Sequence, residues 1–254
     1  TFGRSKSVND GTSSVAYSNW KYNYSRDTNS ENELGFSKFD VPHRLMAQLS
    51  YTTPKYLNGW TSTTISVIYN GFSGSRYSLT MNEVSDFNGD GQKGNSLLYI
   101  PTEAEMDNMN FVDYTDQKTG KLIMSAADSR KAFTEWVNND DYAKNHRGQY
   151  AERNSNLSNW EHEIDLHLAQ TIYNAQGLGK LEFTFDIINF ANMLNKKWGA
   201  SYSSAYNLSP LTVVSLSTDE NGNRNPGYAF NNAKINKSDI SSRWHAQVGI
   251  RLTF

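Results

Sequence analysis

The sequence predicts an all-β fold of one kind, a transmembrane antiparallel β-barrel, on three observations. The last residues, Arg243 to Phe254, alternate apolar and polar without error. Two earlier pairs of segments repeat the alternation around short turns, and the opposite ends of these segments run into long loops. Short turns on one side and long loops on the other is the asymmetry of outer-membrane barrels.

In the terminal segment Trp244, Ala246, Val248, Ile250, Leu252 and Phe254 share one face, and Arg243, His245, Gln247, Gly249, Arg251 and Thr253 the other. A period of two means a strand with one apolar face. That face is unbroken for about the length needed to cross a bilayer at a tilt, and it closes on an aromatic residue. Its charged face is expected to meet the lumen. A strand of a soluble sandwich is the alternative, although those average only about five or six residues.

His43 to Thr53 places Leu45, Ala47, Leu49 and Tyr51 on one side, with Arg44, Gln48, Ser50 and Thr52 mostly opposite, and Pro54 ends the run. A turn through Asn58-Gly59 leads to Trp60–Phe72, where Thr63, Ile65, Val67 and Tyr69 alternate with Thr64, Ser66 and Asn70. The second hairpin joins His162–Tyr173 to Leu181–Asn189 through Gln176-Gly177-Leu178-Gly179. Weaker strands are expected at Leu211–Ser217 and Gly227–Phe230, with a turn at Asn221-Gly222.

Mean hydropathy is -0.69, and no apolar run is long enough for a membrane helix. A barrel remains open, because its strands interleave lipid-facing and lumen-facing residues. Fifteen Tyr, twelve Phe and six Trp supply side chains that settle at membrane interfaces, or equally a large aromatic core. There is no cysteine, so thiolate chemistry and disulfides are excluded. A net charge of -2 offers no electrostatic reason to expect nucleic acid. Thr1-Phe2-Gly3-Arg4 has no leader pattern and reads like the interior of a longer exported chain.

The stretch 82–159 is too long to be structureless in a compact protein. Thr102 with Glu105 and Ser125 with Asp128 match capping boxes, and Ala132, Phe133, Trp136 and Val137 form a helical apolar stripe expected to pack on other loop elements. Before them Asp86-Phe87-Asn88-Gly89-Asp90-Gly91 resembles the first half of a calcium loop. Leu97 stands where the closing acid belongs, so an Asx-rich turn competes with calcium held by Asp86, Asn88 and Asp90.

Catalytic constellations are thin. His162 and His167 have opposite parity and cannot share a metal. Asp165 and His167 share a face, as do Glu163, Glu182 and Asp186, but Arg44, Arg243 and Arg251 balance them, and a charge network inside a barrel accounts for all of them.

FDVPHR (39–44), NGFSGSRYSLT (70–80), DFNGDGQKGNSLLYIP (86–101), HRGQYAERN (146–154), FDIINFANMLNKKWG (185–199) and RWHAQVGIRLTF (243–254) resemble the carboxyl-terminal part of TonB-dependent receptors of the Oar-like kind found in Bacteroidota. The resemblance runs through most of the chain. It implies a barrel of about 22 strands in the bacterial outer membrane, importing a large nutrient through an amino-terminal plug coupled to TonB. Nothing in the sequence resembles a plug or a TonB-contacting segment. At roughly ten residues per strand, residues 1–254 supply about six to eight spans, the last part of such a barrel, with 82–159 as an extracellular loop.

The expectation is therefore a fragment of an energy-coupled transporter with no enzymatic role. A small self-contained barrel acting as enzyme or adhesin is the alternative, and a soluble calcium-binding β-module the third. Tyr142, His146, Arg147, Tyr150 and Arg153 are candidates for contacting substrate or a surface lipoprotein, or for tying the loop to the rim. Trp244, Val248, Ile250, Leu252 and Phe254 are expected to meet lipid and to serve as the signal read by the barrel-assembly machinery.

Overall fold

The computed structural model describes residues 1–28, 32–83, 86–116, 118–173, 177, 179–202 and 206–254. The first half of the chain holds β1 (Lys6–Ser7), α1 (Ala16–Lys21), β2 (Gly35–Phe36), β3 (Arg44–Thr52), β4 (Thr61–Phe72), β5 (Arg76–Glu83), β6 (Tyr99–Ile100), α2 (Glu103–Asn108), β7 (Tyr114–Thr115) and β8 (Leu122–Met124). The rest holds α3 (Ala126–Asn139), β9 (Gln149–Tyr150), β10 (Asn156–Leu157), β11 (Glu161–Ile172), β12 (Lys180–Ile188), α4 (Phe190–Leu194), β13 (Asn207–Thr218), β14 (Arg224–Phe230) and β15 (His245–Thr253). Strand dominates, as the alternation predicts.

Both expected hairpins and the terminal strand join one antiparallel sheet in the order β15-β12-β11-β4-β3. The first hairpin turns where predicted, with Asn58 at φ 56 and Gly59 at φ 85. Asparagine and glycine tolerate the left-handed region such a turn demands. The second turn falls partly on Gln176 and Leu178, outside the described residues.

The described strands do not close into a barrel. Five strands pair in this sheet, fewer than the six to eight expected, and the difference lies in β13 and β14. These form where predicted and pair with each other across the 219–223 turn. They do not add to the hairpins, however: β13 runs parallel to β5 in a separate sheet of order β10-β5-β13-β14.

That second sheet belongs to a cap built over the loop ends of the hairpins, and the main hydrophobic core lies there. Leu79, Leu98, Ile100, Phe133 and Val137 are fully buried, and Met81, Leu211 and Val213 nearly so. The capping box at Thr102/Glu105 forms on α2. On α3 the Ser125 side chain accepts the Asp128 N–H, and Phe133 and Val137, one turn apart, enter the core. Arg130 spans the two helices, donating to the carbonyls of Met106, Asp107 and Met109 at 2.7–2.8 Å. These carbonyls lie at the end of α2, where the helix leaves its last acceptors short of partners, and the Met106 carbonyl also accepts the Met109 N–H at 3.3 Å. Both helices expected within 82–159 form among its described residues, with Phe133 and Val137 of the stripe buried and Ala132 and Trp136 partly so.

Sheet and cap join where β4 runs into β5 and β10 into β11. Phe72 pairs with Glu161 on one side of the joint, and Arg76 with Leu157 on the other. Gly74 sits between, and a Cβ there would lie 2.0 Å from Ser158 Oγ. Only glycine lets the two crossings approach so closely.

Candidate functional site

The register of the five-stranded sheet sorts its side chains into rows. Leu49, Val67, Leu166, Ile187 and Ala246 stand in one cross-strand row, and Tyr51, Ile65, Leu168, Phe185 and Val248 in the next. Strand alternation puts both rows on the same face. The intervening row, Ser50, Ser66, His167, Asp186 and Gln247, lies on the other. Met46, Ile68, Phe72 and Ile188 are the large apolar residues on that polar face.

The apolar face is not a core. Leu45, Leu49, Tyr51, Ile65, Val67, Phe183, Phe185, Val248, Ile250 and Leu252 each stay at least 40% exposed. A soluble antiparallel sheet buries its apolar face, whereas here the buried cluster lies in the cap. Strands of nine to twelve residues, inclined at about 45°, match the span of about 25 Å that an apolar membrane band requires.

At the loop end of the same face aromatic rings line up. Phe2 meets His43 at 5.3 Å between centroids, His43 and His162 stack on either side of Trp160 at 6.1 Å each, and the Tyr69 hydroxyl bonds His162 Nδ1 at 2.8 Å. Tyr69 folds over Gly71, where a Cβ would lie 2.3 Å from its hydroxyl. Trp198 and Trp244 are also exposed beside this end. Side chains with an apolar ring and a polar handle suit a membrane–water boundary.

The polar face is laced by cross-strand bonds. Ser50 and Ser66 hydroxyls lie 2.7 Å apart, Thr52 and Thr64 2.9 Å, and Arg44 Nε donates to Asn70 Oδ1 at 3.0 Å. Glu182 faces Lys180 at 3.1 Å and Arg251 at 3.5 Å. His167 bonds Asp186 on the neighbouring strand, not Asp165, and Asp165 instead accepts the Asn189 N–H at 2.8 Å. Asp165 and His167, which share a face by parity, therefore do not pair with each other, because cross-strand neighbours are closer than residues two apart on one strand. No nucleophile is hydrogen-bonded to His167 among the described residues.

No protein-family model, curated protein or solved structure matches this chain. Among the described residues no helix is long and apolar enough to cross a membrane, which says nothing of a β-barrel.

In the cap, the five residues singled out in and just before HRGQYAERN divide. Arg153 is buried and donates to Asn23 Oδ1 and the carbonyls of Ser7 and Glu33 at 2.7–2.8 Å. Burial pushes its guanidinium below the usual range. Arg147 donates to the Pro101 carbonyl at 3.1 Å and to Asn138 at 2.5 Å. Tyr142 stacks on His146 at 4.0 Å, and its hydroxyl accepts the Glu152 N–H. These four hold the segment in place. Tyr150 alone is exposed, edge-on to Tyr99 at 5.1 Å, on a cleft of about 610 Å³ that Arg153 also lines. A second cavity of about 240 Å³ shares the Tyr24 and Arg153 wall, and burial pushes the Tyr24 hydroxyl up to about 12.

Sequence reasoning missed two buried latches. Asp40 pairs with Arg76, and Asn154, at φ 54, bonds the Phe36 carbonyl and the Ser78 hydroxyl. Asn189, at φ 55, closes the loop end of β12 by donating to the carbonyls of Gly199 and Ser242. Nothing in local spacing signals either, since their partners lie far along the chain.

In the DFNGDG loop, Asp86 accepts the N–H groups of Gly89 and Gly91, Asn88 that of Asp90, and Asp90 that of Gln92. This is the Asx-turn geometry that competed with calcium. Among the described residues no three His, Cys, Asp or Glu side chains already stand together as a metal-binding group.

Proposed function

We propose that the five-stranded sheet is a section of an outer-membrane β-barrel and that the chain is part of a TonB-dependent transporter for a large nutrient. The observation that carries the barrel is an apolar face left largely exposed, with Ile187 the buried exception, while the main hydrophobic core forms elsewhere. Each large apolar side chain moved from water into hydrocarbon contributes about 1.5–3 kcal/mol, so a face of this size demands a cover.

The edges support a barrel over a soluble partner. β3 and β15 each pair on one side only, and both are nine residues long. Long bare edges invite aggregation unless further strands complete them. Bacterial outer-membrane barrels have eight strands or more, so five call for others. The antiparallel bridge from Phe2 to His43 begins such a ladder at the loop end of β3.

The transporter reading rests on the resemblance of the six motifs. Its support here is that several of them converge: Asp40, Arg76, Asn154 and Asn189 come from four different motifs and hold the cap and the loop ends of the sheet. In this reading the cap faces the cell exterior, and Tyr150 and its cleft are its substrate contact.

Fractionation of the native cell tests it. The protein is expected in the outer membrane, released by detergent but not by high salt or alkali. Recovery as a monodisperse protein without detergent would overturn the reading.

A further inference from the structure

The cavity of about 240 Å³ beside the Tyr150 cleft is walled by stretches of chain that meet only in the fold. Asp10 follows β1, Tyr22 and Tyr24 follow α1, Lys38 follows β2, Arg153 precedes β10 and Tyr206 precedes β13. Arg153 ties these walls together through its bonds to Asn23 and the Ser7 carbonyl. Three tyrosine rings give the space an apolar lining, and a few polar groups converge on it, which is the make-up of a small-molecule site.

Two cations line it, and neither has an ion pair among the described residues. Arg153 is 7% exposed, yet its bonds go to one amide oxygen and two backbone carbonyls, all neutral. Lys38 is half-buried and donates to Thr12 Oγ1 at 2.9 Å, with its ammonium 4.8 Å from the centre of the Tyr206 ring. Two of its three N–H donors are left over. Asp10, the one acid on this wall among the described residues, is turned to the Ser7 hydroxyl at 2.7 Å and the Lys38 backbone N–H at 3.1 Å. Buried charge without an opposite charge is costly. Tyr24 is an independent sign of a ligand: it is 8% exposed, and its hydroxyl bonds no described residue. A buried hydroxyl with no protein partner asks for one.

We propose that this cavity binds a small organic carboxylate with a flat apolar body, held through its carboxylate by Lys38 and the Tyr24 hydroxyl in the field of Arg153. The body packs against the tyrosine rings. The volume falls just short of the usual range of about 300–1,000 Å³, so a single ring with its acid group is the fit. Inorganic phosphate brings no apolar surface for the rings. Burial pushes the Lys38 ammonium below its usual range against the pull of Asp10, and an incoming carboxylate would lift it again. The site lies in the cap and stands whether or not the five-stranded sheet meets lipid.

Calorimetric titration of the full chain in detergent with benzoate, neutral benzamide and inorganic phosphate tests it. Benzoate should saturate one site, and both other probes should bind about tenfold more weakly or worse, as should benzoate to Lys38→Met. No saturation by benzoate up to about 10 mM, equal binding of benzamide or phosphate, or an unchanged affinity in Lys38→Met overturns the proposal. Should Lys38→Met disturb the cap, Tyr24→Phe decides, because it removes only a hydroxyl that bonds no described residue. Benzoate must then bind about threefold more weakly or worse, and an unchanged affinity overturns the site.

Discussion

Asp40 Oδ2 and Arg76 Nε meet at 2.6 Å, both side chains no more than 4% exposed. Arg76 also donates to the Asn154 carbonyl at 3.1 Å and lies 3.9 Å over the Phe36 ring, while Asp40 accepts the Ser5 N–H at 2.9 Å. One buried charge pair thus holds the amino-terminal segment, the start of β5 and the approach to β10 in register above the sheet. Removing one partner strands a charge in a buried site, at a cost of about 3–5 kcal/mol.

Asp40→Asn and Arg76→Met should each release the cap. Thermal unfolding followed by near-ultraviolet dichroism should show the cap transition moving down in either variant, with the sheet's far-ultraviolet signal retained. An unchanged cap transition would mean that the ion pair contributes little.

Arg147 and Tyr150 should part company. Arg147→Ala removes bonds to the Pro101 carbonyl and Asn138, and a charged hydrogen bond contributes about 1.5–3 kcal/mol, so the 139–155 segment should become protease-sensitive. Tyr150→Ala loses only an exposed edge contact with Tyr99 and should stay resistant while uptake falls. Cleavage in both variants would make Tyr150 an anchor as well.

Tyr24, Tyr77 and Tyr228 should ionise late. Burial pushes each hydroxyl from 10.0 up to about 12. The unfolded chain releases these protons near pH 10.0 and the folded cap near 12, so the unfolded state binds fewer protons between those values. Stability is therefore intact below pH 10 and falls as pH rises through that window. Tyrosinate absorbance should show these rings lagging the exposed ones. Simultaneous ionisation of all fifteen tyrosines would contradict their burial.

Much of the sheet was legible in the sequence because a period of two survives in nearly every strand, and Asn58-Gly59 and Asn221-Gly222 name their turns. The helices were legible for a similar reason: caps and the Phe133/Val137 stripe are local signals. The partner of β13 was not. Its residues, Asn207–Thr218, alternate weakly, and pairing in parallel with β5 depends on a long connection that no short window reports. The Asp40–Arg76 latch and the His167–Asp186 pair were hidden likewise, since each is made by chain segments brought together only by folding.

Arginine placed on the two faces of β15 should behave oppositely. Val248→Arg puts a charge in the middle of the apolar face and should cost about 2–4 kcal/mol on refolding into lipid vesicles. Gln247→Arg adds a cation to the polar face in the row of Asp186, and should be close to neutral. Equal costs would mean that the two faces see the same solvent.

The central claim is that the exposed apolar face meets lipid. The chain has no cysteine, so single cysteines carrying an environment-sensitive fluorophore can be placed one at a time at Leu49, Val67 and Val248, and at Ser50, Ser66 and Gln247. In vesicles whose acyl chains carry a quencher, the first three should be quenched and the second three not, alternating residue by residue along β3, β4 and β15. Quenching at none of the six, or equally at all of them, would contradict it.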